Sequence, residues 1–157
     1  MTPYIFAKLA LLDGGYMASW GHNTAVNTAI DALSHAVEGM LSVKAGEVSD
    51  LLAKESISII CSLADAIAAD TLTPADRQKL LHASMLAGMV IANTGTTAVH
   101  AMGYSLTYSH EIDHRTANGL LLGSLVAISA QHLPTRTVAN LPLGRLESPP
   151  ALSPTLA

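Results

Sequence analysis

Asp31 and His35 stand one helical turn apart in the run Asp31-Ala-Leu-Ser-His35-Ala-Val-Glu-Gly39. Residues at i and i+4 share a helix face, so a carboxylate oxygen and an imidazole nitrogen can converge there on one point. Those two donors are half of a first-row metal site. Such a pair taken alone is more often a surface hydrogen bond, but Ala29, Ile30, Ala32, Leu33, Ala36 and Val37 leave this helix little wet face. Burying a charge there is costly unless something pairs with it. His100, inside an apolar stretch, and His114, where a loop enters the next helix, are the further candidates for one ion shared with Asp31 and His35. His22, His82, His110 and His132 have no equivalent setting and read as hydrogen-bonded histidines of the core.

Bringing these side chains together requires several helices, and the hydrophobic pattern supplies five. The first runs from about Ala25 to Leu41 and carries Asp31 and His35. After a break at Val43 to Gly46 the second runs from Glu47 to Asp70, with Leu51, Leu52, Ile59, Ile60, Leu63 and Ile67 near the helical period. Thr73-Pro74-Ala75-Asp76 opens the third with an N-cap threonine, a first-turn proline and an acid at the positive dipole end. That helix continues to Ala92, and its small residues Ala83, Ser84, Ala87 and Gly88 allow close approach of another helix. A break at Asn93 to Thr97 precedes a fourth helix to about Tyr108, which carries His100, and a loop from Ser109 to His114 leads to a fifth from Arg115 to His132. Tyr4 to Asp13, closed by Gly14-Gly15, reads as a strand or extended segment, and Asp13-Gly-Gly-Tyr16 as a turn. The spacing therefore predicts an all-α domain over residues 23–133, an edge segment over 1–22 and an irregular proline-rich tail over 134–157.

Composition narrows the function classes. At 157 residues, half of them hydrophobic and 13% charged, the chain suits one packed domain. A net charge of −4 without a lysine or arginine cluster gives no footprint for nucleic acid. Cys61 is the single cysteine, so no internal disulfide can form; together with an amino terminus lacking a secretory signal pattern, this points to the cytoplasm. Leu80 to His110 contains no Asp, Glu, Lys or Arg, which raises a membrane reading. His82, Asn93, the Thr94-Gly-Thr-Thr97 break and His100 interrupt it, and burial in a helical protein is the better account.

Four segments in series carry a resemblance: Asp31-Ala-Leu-Ser-His35-Ala-Val-Glu38, Ala83-Ser-Met-Leu-Ala-Gly88, Gly95-Thr-Thr-Ala-Val-His100-Ala-Met-Gly103 and His114-Arg-Thr-Ala-Asn118. In order and register, from about Pro3 to Ala130, the chain resembles the helical half of the iron-containing alcohol dehydrogenases, of the dehydroquinate synthase-like fold. The resemblance implies that Asp31, His35, His100 and His114 hold a divalent ion, Fe(II) or in some relatives Zn(II). It implies hydride transfer between a primary alcohol or its aldehyde and NAD or NADP. A Lewis-acid ion held by three imidazoles and one carboxylate suits that chemistry.

The chain departs from the family in three places. Tyr104 stands where a cleft histidine is common, so a phenol is the candidate substrate contact, and Arg115 follows His114 where the family has glycine. No glycine-rich phosphate turn is present, so the nucleotide site is expected from a missing domain whose last strand and turn are residues 1–22. The competing expectation is a noncatalytic metal-binding interaction domain. A truncated helical bundle leaves apolar surface open, which favours association with a partner or with a second copy.

Overall fold

The computed structural model of the chain describes residues 7–132. A short 3-10 helix at Gly14–Met17 leads into six helices: α1 His22–Leu41, α2 Glu47–Ser62, α3 Ala64–Ala68, α4 Pro74–Thr94, α5 Ala98–His110 and α6 His114–His132. The all-α expectation holds, and no strand occurs among the described residues. Tyr4 to Phe6 lie outside them, and Ala7 to Asp13 carry no regular structure, so of the two expected forms, strand or extended segment, the strand is not met in its described part. The tail beyond His132 also lies outside the described residues.

α1 is the axis of the bundle, packing against α2, α4 and α6 and touching α3 and α5. Its C-terminal half is buried nearly all round: Ser34, Ala36, Val37, Glu38, Gly39 and Met40 are all out of solvent. The approach to α4 is tightest at Gly39, where an added Cβ would lie 2.1 Å from Val90 Cγ1 and 3.1 Å from Thr94 Oγ1. Just beyond it, Ser42 Oγ donates to the Thr94 carbonyl at 2.8 Å. Between α2 and α4 the buried Ser56 hydroxyl donates to the Ala83 carbonyl at 2.8 Å, amid the fully buried Ala53, Ile57, Ala83, Ala87 and Val90. The small-residue pattern of α4 is thus half right. Ala83 and Ala87 take the helix contact, Ser84 is half-buried and Gly88 is exposed.

Three local features differ from the sequence expectation. The second helix breaks at Leu63, whose amide bonds back to the Ile60 carbonyl in a tighter turn; the separate α3 then brings Ile67 into the core beside Leu63. Leu51 is 68% exposed, and the buried stripe of α2 runs instead through Ser49, Ala53, Ser56, Ile57 and Ile60. His82 and His110 are exposed and His22 is half-buried beside Asp70, so these three are not core histidines; the side chain of His132 lies outside the description.

Thr73 and Asp76 cap α4 reciprocally, as the sequence predicts, and the hydrogen bonds from Thr73 hold the Asp76 carboxyl below its ordinary value. Gln78 on the same helix pins the entry segment, accepting from Gly14 N at 2.7 Å and donating to the Leu12 carbonyl at 3.2 Å.

Because Gly39 sets the α1–α4 distance, Gly39→Ala forces overpacking against Val90. The expected cost is about 1–3 kcal/mol, read as a lower midpoint in urea unfolding of the full chain. An unchanged midpoint would show that the crossing has slack.

Candidate metal centre

One face of α1 presents Asp31, His35 and Glu38 at i, i+4 and i+7. The N-terminal turn of α5 brings His100 to this face, and α6 brings His114 with Asn118 one turn further on. One donor atom from each of Asp31, His100 and His114 falls within 4.8 Å of the others. His35 flanks this group: its Nε2 lies 4.0 Å from Asp31 Oδ1, and its ring stacks on that of His100 with centroids 4.7 Å apart. The His100 and His114 rings meet edge to face at 5.4 Å. Asp31, His100 and His114 therefore converge from three helices, and His35 stands beside them against Asp31 and His100 without joining the 4.8 Å group. Asp31 and His35 keep about a fifth of their side-chain surface exposed, so the cluster opens to one side.

Glu38 supports the cluster from behind. It has no solvent exposure, and Oε1 accepts from Thr97 N at 2.9 Å, Thr97 Oγ1 at 2.6 Å and Val99 N at 2.9 Å. Its other oxygen, Oε2, pairs with His100 Nδ1. The carboxylate thus caps the N-terminus of α5 from a different helix, where free amides and the helix dipole favour an anion. Thr97 makes no side-chain cap of its own, because its hydroxyl is turned to Glu38. Burial works to raise the Glu38 carboxyl, but the hydrogen bonds from His100 and Thr97 outweigh it and leave the group below its ordinary value. The ionised carboxylate takes the Nδ1 hydrogen of His100 and turns Nε2 toward Asp31, at 3.8 Å from Oδ1.

Burial, with the neighbouring imidazoles, pushes His35 below its ordinary value against the pull of Asp31 and Glu38. A neutral ring with a free lone pair is the form a metal requires. Asn118 Nδ2 sits 3.2 Å from each of Asp31 Oδ1, His100 Nε2 and His114 Nε2. With the ring hydrogen of His114 on Nδ1, as Glu38 dictates for His100, a primary amide has two hydrogens for three acceptors, and the cluster then carries more lone pairs than protein donors satisfy. That donor set fits a cation. Tyr104 is 62% exposed and stacks on His114 with centroids 5.1 Å apart, at the rim of the cluster. Arg115 is exposed.

Sequence reasoning gathered the four donors but gave Glu38 and Asn118 no role. For Glu38 a signal existed: an acid two positions from Ala36 and beside Val37, in phase with Asp31 and His35. Asn118 lies four residues after His114, a weaker version of the same signal.

Comparison with known proteins matches this architecture. Residues 25–142 match the family described as Fe-containing alcohol dehydrogenase, C-terminal. The chain belongs to the Fe-containing alcohol dehydrogenase family. It is 38% identical over 120 residues to long-chain-alcohol dehydrogenase 1 of Geobacillus thermodenitrificans, an alignment covering 76% of this chain and 30% of that one. The crystal structure of an iron-containing alcohol dehydrogenase from Thermotoga maritima superposes with a TM-score of 0.74 at 41% identity, over 84% of this chain and 36% of that one. The sulfoacetaldehyde reductase of Bifidobacterium kashiwanohense, solved in complex with NAD+, gives a TM-score of 0.72 at 30% identity, over 81% of this chain and 34% of that one. The chain thus spans about a third of the length of these relatives.

Glu38→Ala strips the acceptor from two backbone amides, a hydroxyl and an imidazole in a closed pocket. The expected loss is about 3–5 kcal/mol of folding stability, whereas Glu38→Gln, which keeps an acceptor for the amides, loses less. Denaturant unfolding of the metal-free full chain reads both, and an unchanged midpoint for Glu38→Ala would contradict the role.

Proposed function

We propose that this chain is the helical, metal-binding part of an alcohol dehydrogenase that moves hydride between a primary alcohol or its aldehyde and NAD or NADP. Asp31, His35, His100 and His114 would hold one divalent ion, Fe(II) or Zn(II). The observation that carries this reading is the convergence within 4.8 Å of donor atoms of Asp31, His100 and His114, from α1, α5 and α6, around the Asn118 amide. A bound ion supplies a Lewis acid for an alcohol oxygen, lowering its pKa, or for an aldehyde carbonyl in reverse.

The chain's own residues prepare that site. Glu38 orients His100, and burial pushes His35 below its ordinary value, toward the form that binds metal. Tyr104, exposed beside His114, offers a phenolic hydroxyl to the substrate oxygen. No described residue is assigned to the nicotinamide nucleotide. Residues 1–22 are read as the edge of a dinucleotide-binding domain, 23–133 as the metal-binding domain, and 134–157 as a tail. No described helix is long and apolar enough to cross a membrane. A reducing cytoplasm suits the free Cys61 thiol.

A second reading, a noncatalytic metal-binding interaction domain, draws on an apolar groove between α1 and α6 lined by Ile30, Leu33, Val37, Leu122 and Val126. Such a surface seeks a protein partner or a second copy. Nicotinamide reduction by the chain with Fe(II) and primary alcohols would favour the enzyme; tight metal binding without turnover would favour the second reading for the isolated chain.

Metal content tests what the two readings share. The metal-stripped chain is expected to take up one Fe(II) or Zn(II) per molecule, and His100→Ala is expected to lose it, as read by elemental analysis after dialysis. Full occupancy in His100→Ala would contradict the assignment.

A further inference from the structure

Asn118 has no part in the chemistry above, yet it occupies the middle of the site with no solvent exposure. Its Nδ2 faces Asp31 Oδ1, His100 Nε2 and His114 Nε2, each at 3.2 Å, while its Oδ1 is buried without a partner. Reversing the amide would set an oxygen against the Asp31 carboxylate and the His100 Nε2 lone pair, so these acceptors dictate the orientation even though one carbonyl goes unpaired. Room for that carbonyl comes from Gly103 on α5, where an added Cβ would lie 2.3 Å from Asn118 Oδ1.

The three acceptors depend on this amide unequally. His100 is held on its far side by Glu38, and Asp31 sits in the body of α1 with His35 beside it. His114 has no such anchor, because its Nδ1 is buried and unpartnered. Its ring is set by stacking on Tyr104, at an interplanar angle of 17°, and by the amide one helical turn away.

We infer that Asn118 is the positioning residue for His114. Its side-chain amide holds the Nε2 edge of that ring toward Asp31 and His100 before a metal arrives, and Gly103 is without a side chain so that the amide fits. This rests on the metal-site reading. It goes beyond the ligand set by assigning the preorganisation of one ligand to a residue that touches the other two. Groups that orient metal-binding histidines commonly change affinity by about 10–100-fold when removed.

The experiment titrates Co(II), then Zn(II), into the metal-stripped full chain and into Asn118→Ala, Gly103→Ala, His114→Ala and the double variant His114→Ala/Asn118→Ala. Circular dichroism and the thermal midpoint report folding. Asn118→Ala is expected to weaken Co(II) binding by about 10–100-fold and to change the visible Co(II) spectrum. Adding Asn118→Ala to His114→Ala is expected to cause no further loss, because the amide acts through that ring. Gly103→Ala, which displaces the amide without deleting it, moves affinity in the same direction and carries the comparison should Asn118→Ala not fold. Parent-like affinity and spectrum in the folded variants would overturn the inference while leaving the metal site intact. An equal further loss in the His114→Ala background would overturn it too. A parent chain that binds neither ion would overturn the metal-site reading itself, and this inference with it.

Discussion

A carboxylate with no access to water, Glu38, ties the two halves of the bundle together. It belongs to α1, whose other faces pack on α2 and α4, and it takes four hydrogens from the first turn of α5. Burying a charge is tolerated only when enough donors replace the lost water. Here two backbone amides at a helix N-terminus, a hydroxyl and an imidazole do so. The same contact fixes where α5 starts and which edge of His100 faces Asp31, so the electrostatics of one buried group and the geometry of the site are a single constraint.

The rest of the centre follows from where α1 lies. Asp31 and His35 stand a turn apart on the helix that touches every other helix of the described chain, so each partner need contribute only one or two side chains. α5 contributes His100 near its N-terminus, where Glu38 fixes the ring, and α6 contributes His114 and Asn118 from its first two turns. The N-terminus of α6 is itself set locally: Asp113 accepts from Arg115 N at 3.1 Å and Thr116 N at 3.3 Å, and Asn27 of α1 reaches the same oxygen at 3.3 Å. Capping and inter-helix contact thus coincide at the start of both helices that approach the cluster.

What could be read from the sequence was what is local. The capping pattern Thr73-Pro74-Ala75-Asp76 opens α4 as expected, and the apolar stretch around Asp31 and His35 signalled that those polar groups needed partners. The four-segment resemblance identified the family and the helical fold. The helical phase of Glu38 and Asn118 is legible but their partners are not, because the donors to Glu38 lie 59–62 residues away in sequence and the partners of Asn118 sit on three helices. The break at Leu63 was missed because neither glycine nor proline marks it; tertiary packing of Leu63 and Ile67 decides it. His82 and His110 read as core histidines by default, for want of a ligand-like setting, and helix rotation puts both in solvent.

The central claim is that side chains from α1, α5 and α6 grip one ion at one point. Anomalous diffraction from crystals of the full chain grown with Co(II), collected either side of the cobalt edge, tests it most directly. The account predicts a single strong peak among Asp31, His35, His100 and His114. A peak elsewhere on the surface, with none between these four residues, would contradict it.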